Sequence, residues 1–285
     1  MTSPVGMLYD QIRPEERLLI DASRKKSITL GLHNSEDFYL NAHEIDHKEP
    51  FEEVVLQRSI SYFRSIHLTA LLESRGIRVI NSSKSASLCG NKLLSTLELS
   101  KAGIQTPRTA VAFSIESALR ALSDIGYPAV LKPIIGSWGR LVAPLKDEES
   151  ARAILEDREN MFPLYQVYYV QEMIKRPPRD IRCFVIGRSV EAAIFRYASK
   201  DEWRTNTARG GRVESCKVTP QMEDLALKAA GVFGEGVYGV DMMESERGLT
   251  VHEVNHTTEF RNSVPATGVD IPGLILDYAL EMVRK

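Results

Sequence analysis

Val240-Asp241-Met242-Met243, followed shortly by Val251-His252-Glu253-Val254-Asn255, is the stretch from which the rest of the chain can be read. Strand alternation puts Glu253 and Asn255 on one face of a single strand, and Asp241 lies in a neighbouring apolar run that reads as its pair. Three hard oxygen donors converging from paired strands suit magnesium, which keeps several waters and binds through few carboxylates plus phosphate oxygens. Two carboxylates set among valines are costly to bury without a cation. An exposed acidic hairpin is the plainer alternative, and the apolar flanks count against it. The paired strands are expected at Val237–Met242 and Leu249–Glu253, with Asp241, Glu253 and Asn255 as metal ligands.

Working outward, a helix is expected around Met222–Phe233 and a last one opened by Pro272. Strands are expected at Tyr168–Gln171, Ile181–Val185 and Val190–Arg196. Tyr127–Lys132 reads as a strand stopped by Pro133, opening onto Gly136-Ser137-Trp138-Gly139-Arg140, after which Leu141–Ala143 resumes a strand. Before it come a helix over Asn91–Lys101 closed by Gly103, a strand at Thr109–Ala112, and a helix capped by Ser114. The amino-terminal part runs Val5–Tyr9, a helix from Pro14, Val54–Leu56, a helix over Ser61–Arg75 closed by Gly76, and Ile77–Ile80. Strand, helix, strand in that order predicts an open parallel sheet. His33, His43 and His47 fall in what reads as a polar connection, where solvation is the simpler role than metal binding. The expected class is α/β and α+β, with domains at 1–86, 87–168 and 169–285.

Several functions are disfavoured. Gly234-Glu235-Gly236-Val237-Tyr238-Gly239 satisfies GxGxxG, but it follows a helix and enters a strand, the reverse of a dinucleotide fingerprint. No Walker-type phosphate loop is present. With 36 basic and 38 acidic residues, the net charge of −2 gives no bulk field for nucleic acid or a membrane. Cys89, Cys183 and Cys216 form no CxxC pair, so a reducing cytoplasm is the expected setting. Met1–Asp10 lacks the look of a signal peptide, and no run is long and apolar enough for a bilayer.

Other residues carry chemistry of their own. Lys132 ends an apolar strand and Lys92 lies near a helix start; two cations flanking Gly136–Gly139 can neutralise a polyphosphate, although each lysine alone could be solvated. The glycine-rich turn offers free amides for close phosphate approach, or is a plain hairpin turn. Gln171-Glu172-Met173-Ile174 runs into Lys175-Arg176-Pro177-Pro178, a stiff connection whose backbone could read adenine edges. Asp180 and Arg182 share a strand face. Arg204-Thr205-Asn206-Thr207-Ala208-Arg209-Gly210-Gly211-Arg212 is dense in groups that fork onto carboxylate or phosphate, and no aromatic platform accompanies it as a nucleic-acid site would require.

Taken together and in order, these pieces resemble the ATP-grasp superfamily, and within it the RimK-like amino-acid ligases, over nearly the whole chain. The supporting stretches are Ile134–Arg140, Thr205–Gly211, Glu253–Thr257, and Asn262-Ser263 ahead of Thr267–Pro272. The resemblance implies an amino-terminal α/β domain and two α+β domains gripping ATP. It is closest to the branch that joins α-aminoadipate to the small acidic carrier protein LysW in lysine biosynthesis, through an acyl phosphate. It implies that Asp241, Glu253 and Asn255 hold Mg2+, and that Lys92, Lys132 and Gly136, Ser137, Trp138 and Gly139 hold the phosphates. Gln171, Glu172, Met173 and Ile174 would receive adenine and Asp180 the ribose, with Arg140, Arg182 and Arg204 among the nucleotide contacts. Arg196, Asn206 and Arg209 would meet the acyl phosphate or transferred phosphoryl group. Asn262 and Ser263 would position the amino acid, and a pair of this kind marks α-aminoadipate use where the glutamate-using sister branch carries Gly-Phe. A homo-oligomer is also expected. A glutamate ligase on LysW, on another protein or on a small molecule is the alternative, and a non-catalytic ATP-binding regulator a second.

Overall fold

The computed structural model describes residues 4–43, 50–199, 203–205 and 211–284. Four short strands, β1 (Val5–Tyr9), β2 (Leu30–Asn34), β3 (Val54–Gln57) and β4 (Arg78–Ile80), form a parallel sheet in the order β2-β1-β3-β4. Helices α1 (Pro14–Lys25) and α2 (Tyr62–Ser74) cross between strands, α1 with Pro14 in its first turn and α2 capped by the Ser61 hydroxyl. Val5, Met7, Val54 and Leu56 face one apolar cluster; Leu8 and Val55 face another, as buried parallel strands do.

The stretch expected to be a connection contains β2 and His33. It lies at the sheet edge with half-exposed residues, so no apolar run announces it. The His33 imidazole meets Glu52 at 2.7 Å rather than lying free in solvent; His47 falls outside the described residues. Helix α3 (Ser83–Gly90), rich in serine, was not expected, and is capped by Ser82. Helix α4 (Lys92–Lys101) begins where the sequence suggested, its first amides taken by the Asn91 side chain.

The second sheet is antiparallel, in the order β5-β8-β6-β7, from β5 (Thr109–Ala112), β6 (Ala129–Lys132), β7 (Ala143–Leu145) and β8 (Tyr168–Glu172). Helices α5 (Ile115–Ile125) and α6 (Glu148–Glu159) pack on it through Ala118, Leu122, Ala151 and Leu155. The strand expected at Leu141–Ala143 starts later because Leu141 has φ 56, in the left-handed region that no strand admits.

The third sheet, β11-β10-β9-β12-β13, is antiparallel and carries the charged floor of the cleft: β9 (Arg179–Ile186), β10 (Ser189–Tyr197), β11 (Arg212–Ser215), β12 (Val237–Ser245) and β13 (Gly248–Asn255). Helix α7 (Pro220–Gly231) covers one face through Ala226, Ala229 and Ala230. The short α8 (Ser263–Thr267) is followed by α9 (Ile271–Val283), whose apolar side packs with Leu19, Val54 and Phe184, so one core joins the first and third sheets. Asn81, just past β4, strengthens this junction. Its Nδ2 donates to the carbonyls of Val237 (2.7 Å) and His256 (2.8 Å), and its Oδ1 accepts from the Val237 amide (2.7 Å).

The rejected GxGxxG run has packing reasons of its own. A Cβ at Gly236 would lie 2.1 Å from Asn81 Oδ1, and one at Gly239 2.5 Å from Thr258 Oγ1. Among the described residues no helix is long and apolar enough to cross a membrane.

Candidate functional site

A cleft of about 750 Å³ lies between the three sheets. Its floor is the hairpin of β12 and β13, in which Asp241 stands directly opposite Glu253. Asp241 is 1% exposed and already charge-paired: Arg182 Nε and Nη2 reach its two oxygens at 2.6 and 2.8 Å. Arg196 Nη2 adds a contact at 2.9 Å, and the Asn255 amide donates to Asp241 Oδ2 at 3.3 Å. Arg196 simultaneously forks onto Asp180 at 2.7 and 2.8 Å, and Thr205 Oγ1 also donates to Asp180. Two aspartates and two arginines thus form a neutral buried quartet. Burial favours the neutral forms of Asp180 and Arg196, but their mutual attraction more than offsets it, lowering the pKa of the acid and raising that of the base.

Above this floor Glu253 pairs with Lys92 and feels the charge of Lys132, each from another element. Lys92 Nζ lies 3.2 Å from Glu253 Oε1 and 2.8 Å from the carbonyl it donates to at Gly136. Its position is set from below, because the Lys92 amide donates to Ile134 O at 2.7 Å and Asn91 caps the helix. Lys132, at the end of β6, donates to Gln171 Oε1 at 2.5 Å. Burial drives the Lys132 pKa down to about 8, with Glu253 opposing and Lys92 and Arg176 adding to the fall. For Glu253 burial pushes upward, but Lys92, His252 and Lys132 prevail and hold it at about 2.

The roof is the turn at Gly136–Leu141. Gly136 (φ 152) and Gly139 (φ 63) supply the backbone freedom it needs, while Trp138 (φ 58) and Leu141 (φ 56) occupy left-handed conformations at a cost of about 1 kcal/mol or more each. Side chains from elsewhere hold it: Trp138 Nε1 donates to Glu259 at 2.9 Å, Arg204 to Gly139 O at 3.0 Å and Val142 O at 3.3 Å. The Arg140 guanidinium stacks over the Trp138 ring, 4.8 Å from its centroid.

Of the residues singled out from sequence, Lys92, Lys132, the turn from Gly136 to Arg140, Asp180, Arg182, Arg196, Arg204, Asp241, Glu253 and Asn255 all line this cleft. Gln171 is buried behind Lys132 and also donates to Thr109 and Tyr169. At the expected adenine hinge the Glu172 and Met173 amides donate to Arg108 O (2.9 Å) and Pro128 O (3.3 Å), and the Glu172 carboxylate accepts from Arg108 and Arg247. Asn262 and Ser263 line a separate small cavity of about 10 Å³, which shares Arg182, Arg196 and Glu259 with the main cleft. Asn206 and Arg209 lie outside the described residues. Sequence reading missed Arg13, Ser59, His252, Thr257 and Glu259 in the lining. Of these, His252 and Thr257 stood inside quoted stretches, but neither was given a role.

The donor set suits a hard divalent cation. Glu253 is ionised over the whole working pH range, and Asn255 spends its amide N–H on Asp241, which leaves its carbonyl oxygen for another partner. Asp241 is shared with two arginines. Among the described residues no cluster of three or more His, Cys, Asp or Glu side chains could hold a metal without further ligands. A cation here therefore needs oxygens from outside the protein, as one clasped between carboxylates and a polyphosphate has.

The description RimK-like ATP-grasp domain matches residues 89–279, and the description LysX preATP-grasp domain matches residues 5–88. The chain is 37% identical over 285 residues to the alpha-aminoadipate–LysW ligase LysX of Sulfurisphaera tokodaii, covering 99% of each. It is 34% identical over 282 residues to the glutamate–LysW ligase ArgX of Sulfolobus acidocaldarius, covering 96% of this chain and 97% of that one. The crystal structure of a RimK domain ATP-grasp protein from Sphaerobacter thermophilus superposes with a TM-score of 0.76 at 28% identity, covering 97% and 99% of the two chains.

Proposed function

The chain belongs to the RimK-like ATP-grasp family of ligases, and from that premise we propose that it joins the amino group of α-aminoadipate to the side-chain carboxylate of the C-terminal glutamate of a LysW-like carrier protein, consuming ATP. The observation that carries this reading is the meeting of Lys92, Lys132, Glu253, Asp241 and Asn255 at one end of a single cleft, under a turn of open backbone. Resemblance along the full length to LysX supports the carrier, and the Asn262-Ser263 pair beside Arg182 and Arg196 supports α-aminoadipate.

The reaction needs alignment and charge neutralisation more than covalent help. A carrier carboxylate oxygen attacks the terminal phosphorus of ATP, ADP leaves, and an acyl phosphate forms. The amine then attacks the acyl carbon, phosphate leaves, and the ammonium proton passes to water or phosphate. Lys92 and Lys132 neutralise the phosphates, and Arg196 stabilises charge on the acyl phosphate. Glu253, Asn255 and Asp241 would hold magnesium, which when bound shields the triphosphate charge. The turn at Gly136–Leu141 excludes water from an intermediate that would otherwise hydrolyse.

The test is ADP release measured with carrier and amino acid together and with each omitted. Sustained release only with both, faster with α-aminoadipate than with glutamate, is expected; one methylene is worth about 1–3 kcal/mol in such discrimination. A faster reaction with glutamate would move the assignment to the ArgX type, and release indifferent to carrier would remove it.

A further inference from the structure

Val251 and Val254 are both fully buried in the same apolar cluster. An uninterrupted strand would turn residues of odd spacing to opposite faces. The register explains how both face inward: Asp241 pairs with Glu253 but the next residue, Met242, pairs with Val251, so His252 is the extra residue of a β-bulge. The bulge delivers His252 to the cleft beside Glu253, where simple alternation would have hidden it.

The imidazole is 12% exposed and its Nε2 is buried with no hydrogen-bond partner. The nearest counter-charge, Asp180 Oδ2, is 3.9 Å away, beyond hydrogen-bond reach, and is already committed to Arg196 and Thr205. A buried polar nitrogen left without a partner is a standing cost to the fold. Its neighbours say what relieves it. His252 lines the large cleft with Lys92, Lys132 and the glycine-rich turn, and is absent from the small cavity that holds Asn262 and Ser263.

We propose that His252 is a nucleotide-contacting residue, its Nε2–H donating to an oxygen of the bound nucleotide and so fixing where the phosphate chain lies over Glu253. The inference rests on the reading of this cleft as the nucleotide site.

The test uses the full chain and three variants, with Mg-ADP binding measured by calorimetry and KM determined for ATP and for the amino acid. His252→Leu should weaken Mg-ADP binding and raise the KM for ATP about tenfold, leaving the amino-acid KM unchanged. His252→Gln, which can offer an amide N–H, should recover most of the loss. Because leucine removes an unpartnered polar atom, the nucleotide-free melting temperature of that variant should not fall; should it fail to fold, His252→Ala takes its place with the same expected loss. Wild-type affinity for Mg-ADP in the leucine variant, or a glutamine variant as weak as leucine, overturns this proposal alone. A wild-type chain that does not bind Mg-ADP overturns it together with the nucleotide reading.

Discussion

Arg182 grips Asp241 through both carboxylate oxygens, at 2.6 and 2.8 Å, across two adjacent strands in register. The aspartate at the heart of the expected metal triad is thus a structural ion before it is anything else. Removing one member of a buried pair leaves a charge without its partner. Arg182→Met should destabilise the chain by about 3 kcal/mol, with Arg196 limiting the loss. Urea unfolding reads this directly, and the double variant with Asp241→Leu should recover part of it. Additive losses would mean the pair contributes nothing as a pair.

Glu253 gives a pH signature. Its folded pKa of about 2 lies below the ordinary 4.5, so its contribution to stability is complete above about pH 4.5 and disappears as pH falls toward 2. The magnitude is on the order of 3 kcal/mol. Glu253→Gln should flatten the acid limb of stability against pH, and Glu253→Ala should abolish turnover while the circular dichroism spectrum stays that of the wild type.

Lys132 has the opposite consequence. With a folded pKa of about 8 against 10.5, the native state sheds its proton first, so nucleotide-free stability should rise between about pH 8 and 10.5. The charge that phosphates require is lost over the same range. The kcat/KM for ATP should therefore fall above about pH 8, and Lys132→Met should show neither the rise nor that limb. A flat profile in the wild type would contradict the assignment.

Trp138 ties the roof to Glu259 through one indole N–H, 2.9 Å long. Trp138→Phe keeps a ring for Arg140 to cover but removes this tie. An increase of about threefold to tenfold in the KM for ATP, with little change in the amino-acid KM, is the expected outcome, consistent with loss of one hydrogen bond to a charged group. Equal effects on both constants would show the turn to be general scaffolding.

What could be read in advance followed the apolar pattern. Val5–Tyr9 and the first six residues of β12 are short runs buried almost without a break, and such runs stand out in the sequence as strands. Edge strands β2 and β11 carry half-exposed residues and left no such trace, and α3 is built from serines that read as loop. At the site, the residues found were those whose chemistry stands out against a strand, such as Lys132 and Glu253. Arg13, which precedes α1, and Ser59, just past β3, reach the cleft only through long-range packing, which no local pattern announces. His252 was hidden for a subtler reason: with Glu253 and Asn255 on one face, regular alternation turns their neighbour to the other, and only the register with the neighbouring strand reverses that.

Asn81 bears on which parts of the molecule stay together. Three hydrogen bonds from one side chain, two of them buried, would have to break for the first sheet to part from β12 and from His256, at a cost of roughly 3 kcal/mol. The Gly136–Leu141 turn is tied by separate contacts instead, Trp138 to Glu259 and Arg204 to Gly139 and Val142.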